Sequence, residues 1–109
     1  MKGNKFRAKK AHIDGITFDS QMEGRRYLEL KILLQAGEIS HLEMQPEYRC
    51  EINGKLVCKY RADFRYFGPN GRTVEDVKSK YMAKNAVYRI KKKLVEALYP
   101  GTKIIEVQA

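Results

Sequence analysis

The chain has 109 residues, with 22 lysines and arginines against 13 aspartates and glutamates, and its formal net charge is +9. This length predicts one domain, and a composition that is 43% hydrophobic and 32% charged excludes a disordered chain. No apolar run approaches the roughly 20 residues that a membrane span needs, and no signal-peptide core follows the basic N-terminus, so we expect a cytoplasmic protein.

The basic residues are concentrated in two segments. Residues 1–11 contain five basic residues and no acid, and residues 77–95 contain seven basic residues and no acid. A distribution so uneven favours a polyanionic partner, of which nucleic acid is the commonest, although a solvated basic face is the alternative. We expect residues 1–11 to be a flexible tail and residues 12–109 to be the folded domain.

The first predicted elements are a short hairpin and a helix. The segment "HIDGITF" contains the turn dipeptide Asp14-Gly15 between apolar residues, which predicts the hairpin. The segment "DSQMEGRRYLELKILLQAG" predicts the helix. Ser20 and Glu23 have capping-box spacing, and Gly37 suits the left-handed position that ends a helix.

Two strands and a turn follow. "EMQPEYRCEI" and "KLVCKYRADFRYF" read as an antiparallel hairpin closed by Asn53-Gly54. A regular two-residue hairpin places Cys50 opposite Val57 and Cys58 opposite Arg49. The two cysteines are therefore predicted to be poor disulfide partners and to act as small strand residues.

The remaining elements are a third strand ("RTVEDVKS"), a second helix over residues 83–98, and a last strand ("KIIEV"). The apolar stripe of that helix is predicted to comprise Val87, Ile90, Leu94 and Leu98. A strand, a helix and a strand in sequence predict that the third and last strands are parallel. The order α-β-β-β-α-β indicates an α/β fold with a mixed central sheet flanked by helices.

Glu23 has two interpretations. Helical spacing places it on the same stripe as Tyr27, Leu30 and Leu34, where a charge is costly unless something binds it. It is therefore a candidate metal ligand. The alternative is a helix cap, and the two roles could alternate with metal occupancy.

Asp63 is an acid in a cationic row. Alternation in the second strand places it on the face that also carries Lys59, Arg61 and Arg65. Charge balance with the two arginines is one explanation. A metal ligand is the other.

The third strand places Asp76 and Lys78 on one face and Glu75 on the opposite face. An exposed ion pair between Asp76 and Lys78 would stabilise the fold by only about 0–1 kcal/mol, and a buried pair often costs more than it returns. A functional site therefore explains Asp76 and Lys78 on one face better than a stabilising ion pair does. Glu75 is the rival ligand, because a one-residue change of register exchanges the two faces.

The three candidate carboxylates and Lys78 together suit metal-dependent hydrolysis of phosphodiester bonds. Mg²⁺ commonly takes one or two carboxylates with water and substrate phosphate, which Asp63 and Asp76 would supply, with Glu23 completing the shell. Such an ion lowers the pKa of a bound water and polarises a phosphoryl oxygen. Lys78 would neutralise charge that develops on the phosphate or orient the attacking water.

The motifs resemble those of the PD-(D/E)XK nuclease superfamily over residues 18–107. "YRADF" is similar to its first acidic motif, with Ala62 in place of the usual proline, and "EDVK" is similar to (D/E)XK. "FDSQMEGRRYLEL" resembles the helix that often contributes a glutamate. The longer pattern resembles small phage and prophage proteins that are mostly described only as a domain of unknown function.

The resemblance implies a restriction-endonuclease-like core and a Mg²⁺- or Mn²⁺-dependent DNA endonuclease. It would act in phage recombination or replication, on branched DNA in the manner of a Holliday junction resolvase, with phage recombination or replication proteins as partners. Paired cuts would require a homodimer. The residues expected to bind DNA are Lys5, Arg7, Lys9, Lys10, Lys80, Lys84, Tyr88, Lys91 and Lys92. Tyr88 could equally be a core residue, and the alternatives to a nuclease are a non-catalytic DNA-binding module and a subunit that needs a partner protein.

Overall fold

The computed structural model describes residues 9–108, and that range contains eight strands and three helices. The strands are β1 (Ala11–Ile13), β2 (Ile16–Phe18), β3 (Ser40–Met44), β4 (Glu47–Ile52), β5 (Lys55–Arg61), β6 (Phe64–Gly68), β7 (Gly71–Lys78) and β8 (Ile104–Gln108). The helices are α1 (Gln21–Gln35), between β2 and β3, and α2 (Lys80–Ala83) and α3 (Ala86–Leu98), between β7 and β8. No helix among the described residues is long and apolar enough to cross a membrane.

The N-terminal hairpin and the first helix form as predicted. Asp14 and Gly15 both have positive φ, at 53° and 76°, which is the backbone of a primed hairpin turn. The Ser20 hydroxyl accepts a hydrogen bond from the Glu23 backbone N–H at the start of α1. Ala11, which the sequence assigned to the tail, is instead the buried first residue of β1.

A four-stranded mixed sheet, in the order β3-β6-β7-β8, forms the centre of the fold. The pairs β3–β6 and β6–β7 are antiparallel, whereas β7 and β8 are parallel. The predicted mixed sheet and the parallel pairing of the third and last strands are therefore confirmed.

The long predicted hairpin is bent rather than straight. Gln45 has a φ of 58°, and Pro46, which has no N–H to donate, follows it, so this strand breaks into β3 and β4. The facing strand breaks at Ala62 and Asp63. Hydrogen bonds cross the bend from Gln45 N–H to the Asp63 carbonyl (2.8 Å) and from Ala62 N–H to the Pro46 carbonyl (3.0 Å). The outer half, β4–β5, is consequently a separate two-stranded sheet, called the β4–β5 hairpin below.

The predicted register of the cysteines is wrong. The ladder of the β4–β5 hairpin shifts by one residue between Cys50 and Glu51, so Cys50 lies opposite Cys58 and not opposite Val57. A β-bulge at this point inserts one extra residue on β5, which a regular two-residue hairpin does not allow for. Both thiols are free.

Two hydrophobic cores cover the two faces of the central sheet. The first lies under α1 and contains Phe18, Tyr27, Leu30, Phe64, Tyr66 and Val77. The second lies under α3 and the β4–β5 hairpin and contains Tyr48, Cys50, Tyr60, Ala62, Val74, Tyr88, Val95 and Ile104. The strand that runs through the bend thus contributes to both cores, first to the core under α3 and then to the core under α1.

The second helix differs from its prediction. The Asn85 side chain caps α3 by accepting from Tyr88 N–H (3.0 Å), so the predicted helix is divided into a short α2 and a separate α3. Within α3, Tyr88 and Val95 are buried. The predicted stripe is right at Leu94, which packs against the core under α3, and wrong at the other three positions. Val87, Ile90 and Leu98 are exposed by 62%, 64% and 37%. On α1 the predicted stripe is right at Tyr27 and Leu30, whereas Leu34 is exposed.

Candidate active site

Asp76 and Lys78 lie on the same face of β7, beneath α3. The Asp76 side chain is almost fully buried, and the Lys78 ammonium lies 3.4 Å from its Oδ1. The Tyr60 hydroxyl donates a hydrogen bond to the other oxygen, Oδ2. The Lys78 ammonium also lies 4.6 Å from the centre of the Tyr88 ring, a cation–π contact that fixes its position further.

Burial makes the Asp76 carboxyl an unusually weak acid. Loss of solvent raises its pKa from 3.8 to about 6, while the charge of Lys78 acts in the opposite direction. The nearby Glu106 carboxylate raises the pKa further. Above pH 6 the buried Asp76 is therefore mostly ionised. The Lys78 ammonium compensates its negative charge only in part, and a second cation would stabilise the carboxylate.

Asp63 lies at the bend between β5 and β6, next to Asp76. Its Oδ2 accepts a hydrogen bond from Val77 N–H (2.7 Å), and its own N–H donates to the Glu75 carbonyl (3.1 Å). Phe64 pairs with Glu75 at the end of the β6–β7 ladder, and Asp63 lies just outside that ladder, with its carboxylate beside the segment 75–77 of β7. Burial raises the pKa of Asp63, and the Val77 N–H and the Lys78 charge lower it.

Charge balance with Arg61 and Arg65 does not explain why an aspartate lies at position 63. Arg61 binds the Asp19 carboxylate at 3.0 Å, and Arg65 binds the Glu43 carboxylate at 2.5 Å. Neither arginine is therefore the partner of Asp63 among the described ion pairs. The bend turns the aspartate towards β7 instead.

Glu23 has the contacts of a helix cap and lies near Asp63. Its backbone N–H is held by Ser20 (3.1 Å), and its carboxylate accepts from the Asp19 N–H and the Ser20 hydroxyl, each at 3.3 Å. The Asp63 carboxyl also lies close enough for its charge to act on Glu23. Burial, followed by the charges of Asp63 and Asp19, raises the pKa of Glu23 from 4.5 to about 7. Glu23 thus caps α1 and borders the site at once.

The donors fit a hard divalent cation. Glu23, Asp63 and Asp76 offer only carboxylate oxygens, which Mg²⁺ and Mn²⁺ accept together with water and phosphate. Within residues 9–108, however, no three histidine, cysteine or acidic side chains are arranged as a ready-made metal-binding group. Two neighbouring carboxylates, with water and substrate phosphate completing the shell, match this arrangement better than an all-protein cage.

Glu75, the rival ligand, belongs to a different cluster. It is buried on the α1 side of β7, where the Arg26 guanidinium donates to its two oxygens at 2.8 and 2.7 Å. The Tyr66 hydroxyl donates to it as well. Because its oxygens are occupied by these donors, Glu75 is a structural residue of β7.

A cleft of about 250 Å³ opens over Lys78, between the β4–β5 hairpin and the start of α3. Its lining residues are Lys59, Tyr60, Arg61, Lys78, Asn85, Val87, Tyr88 and Lys91. Four of these eight side chains are cationic and none is acidic. The cleft therefore presents a positive surface that includes Lys78, the ion-pair partner of Asp76.

The predicted DNA-binding residues are dispersed. Lys5 and Arg7 lie outside the described residues. Lys9, Lys10, Lys80 and Lys84 are exposed, and Lys10 pairs with Asp19 at 3.5 Å.

The three consecutive lysines of α3 have different surroundings. Lys91 lines the cleft over Lys78, whereas Lys92 and Lys93 line a second cavity of about 310 Å³ beside β8. Lys92 pairs there with Glu106 at 3.7 Å. Tyr88 is both a core residue and a site residue, because its ring lies under Lys78 and its hydroxyl donates to Glu106 (2.8 Å). Burial, and then this hydrogen bond, raises the pKa of Tyr88.

Sequence reasoning missed two kinds of residue at this site. In the alternating pattern of β5, Tyr60 faces away from the basic row, and nothing local indicates that its hydroxyl reaches Asp76 on β7. Lys59 and Arg61 were read only as a cationic row, and their place in the cleft depends on how the hairpin bends over α3. Only the alternation of basic and buried residues in β5 could have drawn attention to them.

A family comparison accounts for nearly the whole chain. The family described as "Protein of unknown function (DUF1064)" matches residues 3–108. The chain belongs to this family. The expected likeness to proteins described only as a domain of unknown function is thereby confirmed, and the family description assigns no activity. No curated protein and no solved structure matches the chain.

Proposed function

We propose that this protein is a metal-dependent DNA endonuclease with a PD-(D/E)XK-like core, acting in the cytoplasm of a phage-infected cell on recombination or replication DNA. One observation supports the proposal most strongly. Asp63 is held by the Val77 N–H, the buried Asp76 pairs with Lys78, and Lys78 lines a basic cleft.

Asp63 and Asp76 would hold the divalent cation, with Glu23 completing or bridging its shell. The cation, when bound, would activate a water molecule and polarise the phosphate. The raised pKa values of Glu23 and Asp76 indicate carboxylates that gain from a positive partner, which is the electrostatic condition for binding one.

Lys78 would act on the phosphate itself. Its ammonium is held between Asp76 and the Tyr88 ring and is only partly exposed, so it faces the cleft in a fixed position. A preorganised positive charge at that place stabilises negative charge that develops on the phosphoryl oxygens. Lysine suits this role because its ammonium is a compact point charge.

The cleft accounts for nucleic acid as the substrate. Lys59, Arg61 and Lys91 give its walls a positive charge that attracts phosphates without reading sequence. A DNA backbone bound there would bring one phosphate to Lys78. A single site of this kind cuts one strand, so paired cuts would need a second copy of the chain.

The test is cleavage of labelled linear and four-way-junction DNA by the purified protein, with Mg²⁺ and with a chelator. We expect cleavage with Mg²⁺ only, and a loss of about a hundredfold or more in Asp76→Asn and in Lys78→Ala, with folding and DNA binding retained. Glu38→Gln and Lys103→Ala are matched controls, because both residues are exposed and lie outside the site. Cleavage by Lys78→Ala at the parental rate would show that the assigned site is wrong.

The rival function is DNA binding without catalysis. It explains the basic cleft, yet it leaves Asp63 and Asp76 as carboxylates that repel a DNA phosphate. In the same assay it predicts binding that is insensitive to the chelator and no cut strand. Cleavage that appears only when a second protein is added would instead favour a nuclease subunit.

A further inference from the structure

Cys50 and Cys58 form a cross-strand pair in the β4–β5 hairpin. The β-bulge places them directly opposite one another, and both side chains belong to the core under α3. They are the only two cysteines in the chain. Any disulfide within one molecule must therefore join these two residues.

The backbone geometry suits such a bond. Residues that face each other in an antiparallel ladder have Cα atoms about 4.5–5.5 Å apart. Disulfides are found at Cα separations of roughly 4.4–6.8 Å. The Cys58 thiol lies close enough to Cys50 to affect its ionisation. The pairing therefore holds the two cysteines at a backbone separation that a disulfide can span.

The two thiols differ in their access to solvent. Cys50 is fully buried, whereas Cys58 is partly exposed at the rim of the core. Burial, then the contact with Cys58, raises the pKa of the Cys50 thiol, and the Lys91 charge lowers it. A reagent in solution therefore meets Cys58 first.

We propose that Cys50 and Cys58 form a reversible disulfide by exchange with a small disulfide such as oxidised glutathione. The Cys58 thiolate attacks one sulfur of glutathione disulfide and releases one glutathione thiolate. The Cys50 thiol then loses its proton and attacks Cys58 Sγ, which releases the second glutathione. Two protein thiols are oxidised to one disulfide, and one glutathione disulfide is reduced to two thiols.

A metal ion is a poorer occupant of this pair. Zinc sites in proteins need three or four side-chain ligands, and within residues 9–108 no third histidine, cysteine or acidic ligand joins the two cysteines. The hairpin also gives a disulfide a structural consequence. Tyr60, which donates to Asp76, lies two residues from Cys58, so the bond would fix the strand segment that supplies this donor.

The experiment titrates the purified full chain with glutathione mixtures of increasing oxidation at neutral pH. Acid quenching, alkylation of free thiols and intact-mass measurement then count the thiols. We expect the parent to lose two hydrogens, to take up no alkyl group and no glutathione, and to return to the dithiol with dithiothreitol. Cys50→Ser should stop at the Cys58–glutathione adduct, and Cys58→Ser should react much more slowly.

A second titration in denaturing urea tests whether the native hairpin is responsible. The folded chain should be half-oxidised at a glutathione disulfide level at least about tenfold lower than the unfolded chain, because the ladder holds the sulfurs together. Equal midpoints, or a folded parent that carries only glutathione adducts or intermolecular dimers, would overturn the proposal. None of these readouts uses DNA cleavage, so they are independent of the proposed nuclease function.

Discussion

Glu75 and Asp76 are consecutive buried acids on β7 that face opposite sides of the central sheet. Glu75 points towards α1, where Arg26 and Tyr66 occupy its oxygens, and Asp76 points towards α3, where Tyr60 and Lys78 do so. The alternation of side chains along a strand separates them, and the partners that each finds decide its role. Glu75 is paired within the core under α1, whereas Asp76 pairs with Lys78, which lines the cleft.

Replacing Arg26 by alanine should destabilise the fold by about 3 kcal/mol, because it leaves the buried Glu75 carboxylate without its cation. Chemical denaturation measures this change in the free energy of unfolding. Arg25→Ala is the matched control, since that neighbouring side chain is exposed and makes no ion pair among the described residues. Equal stabilities for the two variants would contradict the structural role of Glu75.

Tyr60→Phe should cost about 1–2 kcal/mol of stability at neutral pH, because the buried Asp76 carboxylate loses a hydrogen-bond donor. We expect the same change to slow DNA cleavage, since Tyr60 positions Asp76 without touching substrate. Tyr81→Phe is the control, because Tyr81 is 83% exposed. A Tyr60→Phe variant as stable as this control would show that the hydrogen bond is not formed in solution.

Glu23→Gln should flatten the dependence of stability on pH. The native pKa of about 7 lies above the ordinary 4.5, so below pH 4.5 both states are protonated and stability is fully present. As the pH rises towards 7 the unfolded chain releases the proton first, and the parent loses stability. After allowance for partial exposure, we expect this loss to be smaller in the variant by about 1–2 kcal/mol between pH 5 and pH 8.

Thermal unfolding at pH 5 and at pH 8 provides the measurement for Glu23→Gln. Asp76, with its raised pKa of about 6, should leave part of the slope in the variant. The exposed Glu38→Gln control should keep the full parental slope. A Glu23→Gln slope as steep as the parent's would show that Glu23 titrates normally.

Mg²⁺ should stabilise the protein at pH 8 much more than at pH 5. Protons compete with the cation for Glu23 and Asp76 at the lower pH, because both have raised pKa values. At saturating Mg²⁺ we expect the melting temperature at pH 8 to rise by roughly 4 °C or more, a shift that a chelator reverses. Asp63→Asn should abolish the rise, and a rise of equal size in that variant would place the cation elsewhere.

Local sequence signals were sufficient for the elements whose geometry depends on a few neighbouring residues. Asp14-Gly15 determined the first turn, Ser20 determined the start of α1, and the pairing of Asp76 with Lys78 followed from strand alternation. These features depend on backbone preferences and on contacts between residues at most four positions apart. They could therefore be predicted without knowledge of any tertiary contact.

Three features of the fold could not be predicted from local sequence signals and depend on the tertiary structure. The bend at Asp63 turned that residue from its cationic row towards β7, the bulge brought Cys50 opposite Cys58, and packing rotated α3 so that Tyr88 and Val95 face the sheet. The bend and the orientation of α3 depend on partners that are distant in the chain, whereas the bulge depends on how the two strands of one hairpin pair. At these positions the free energy of burial outweighs the local apolar pattern. Sequence alone determined which acids and cations the chain possesses, whereas only the folded sheet determined which of them meet.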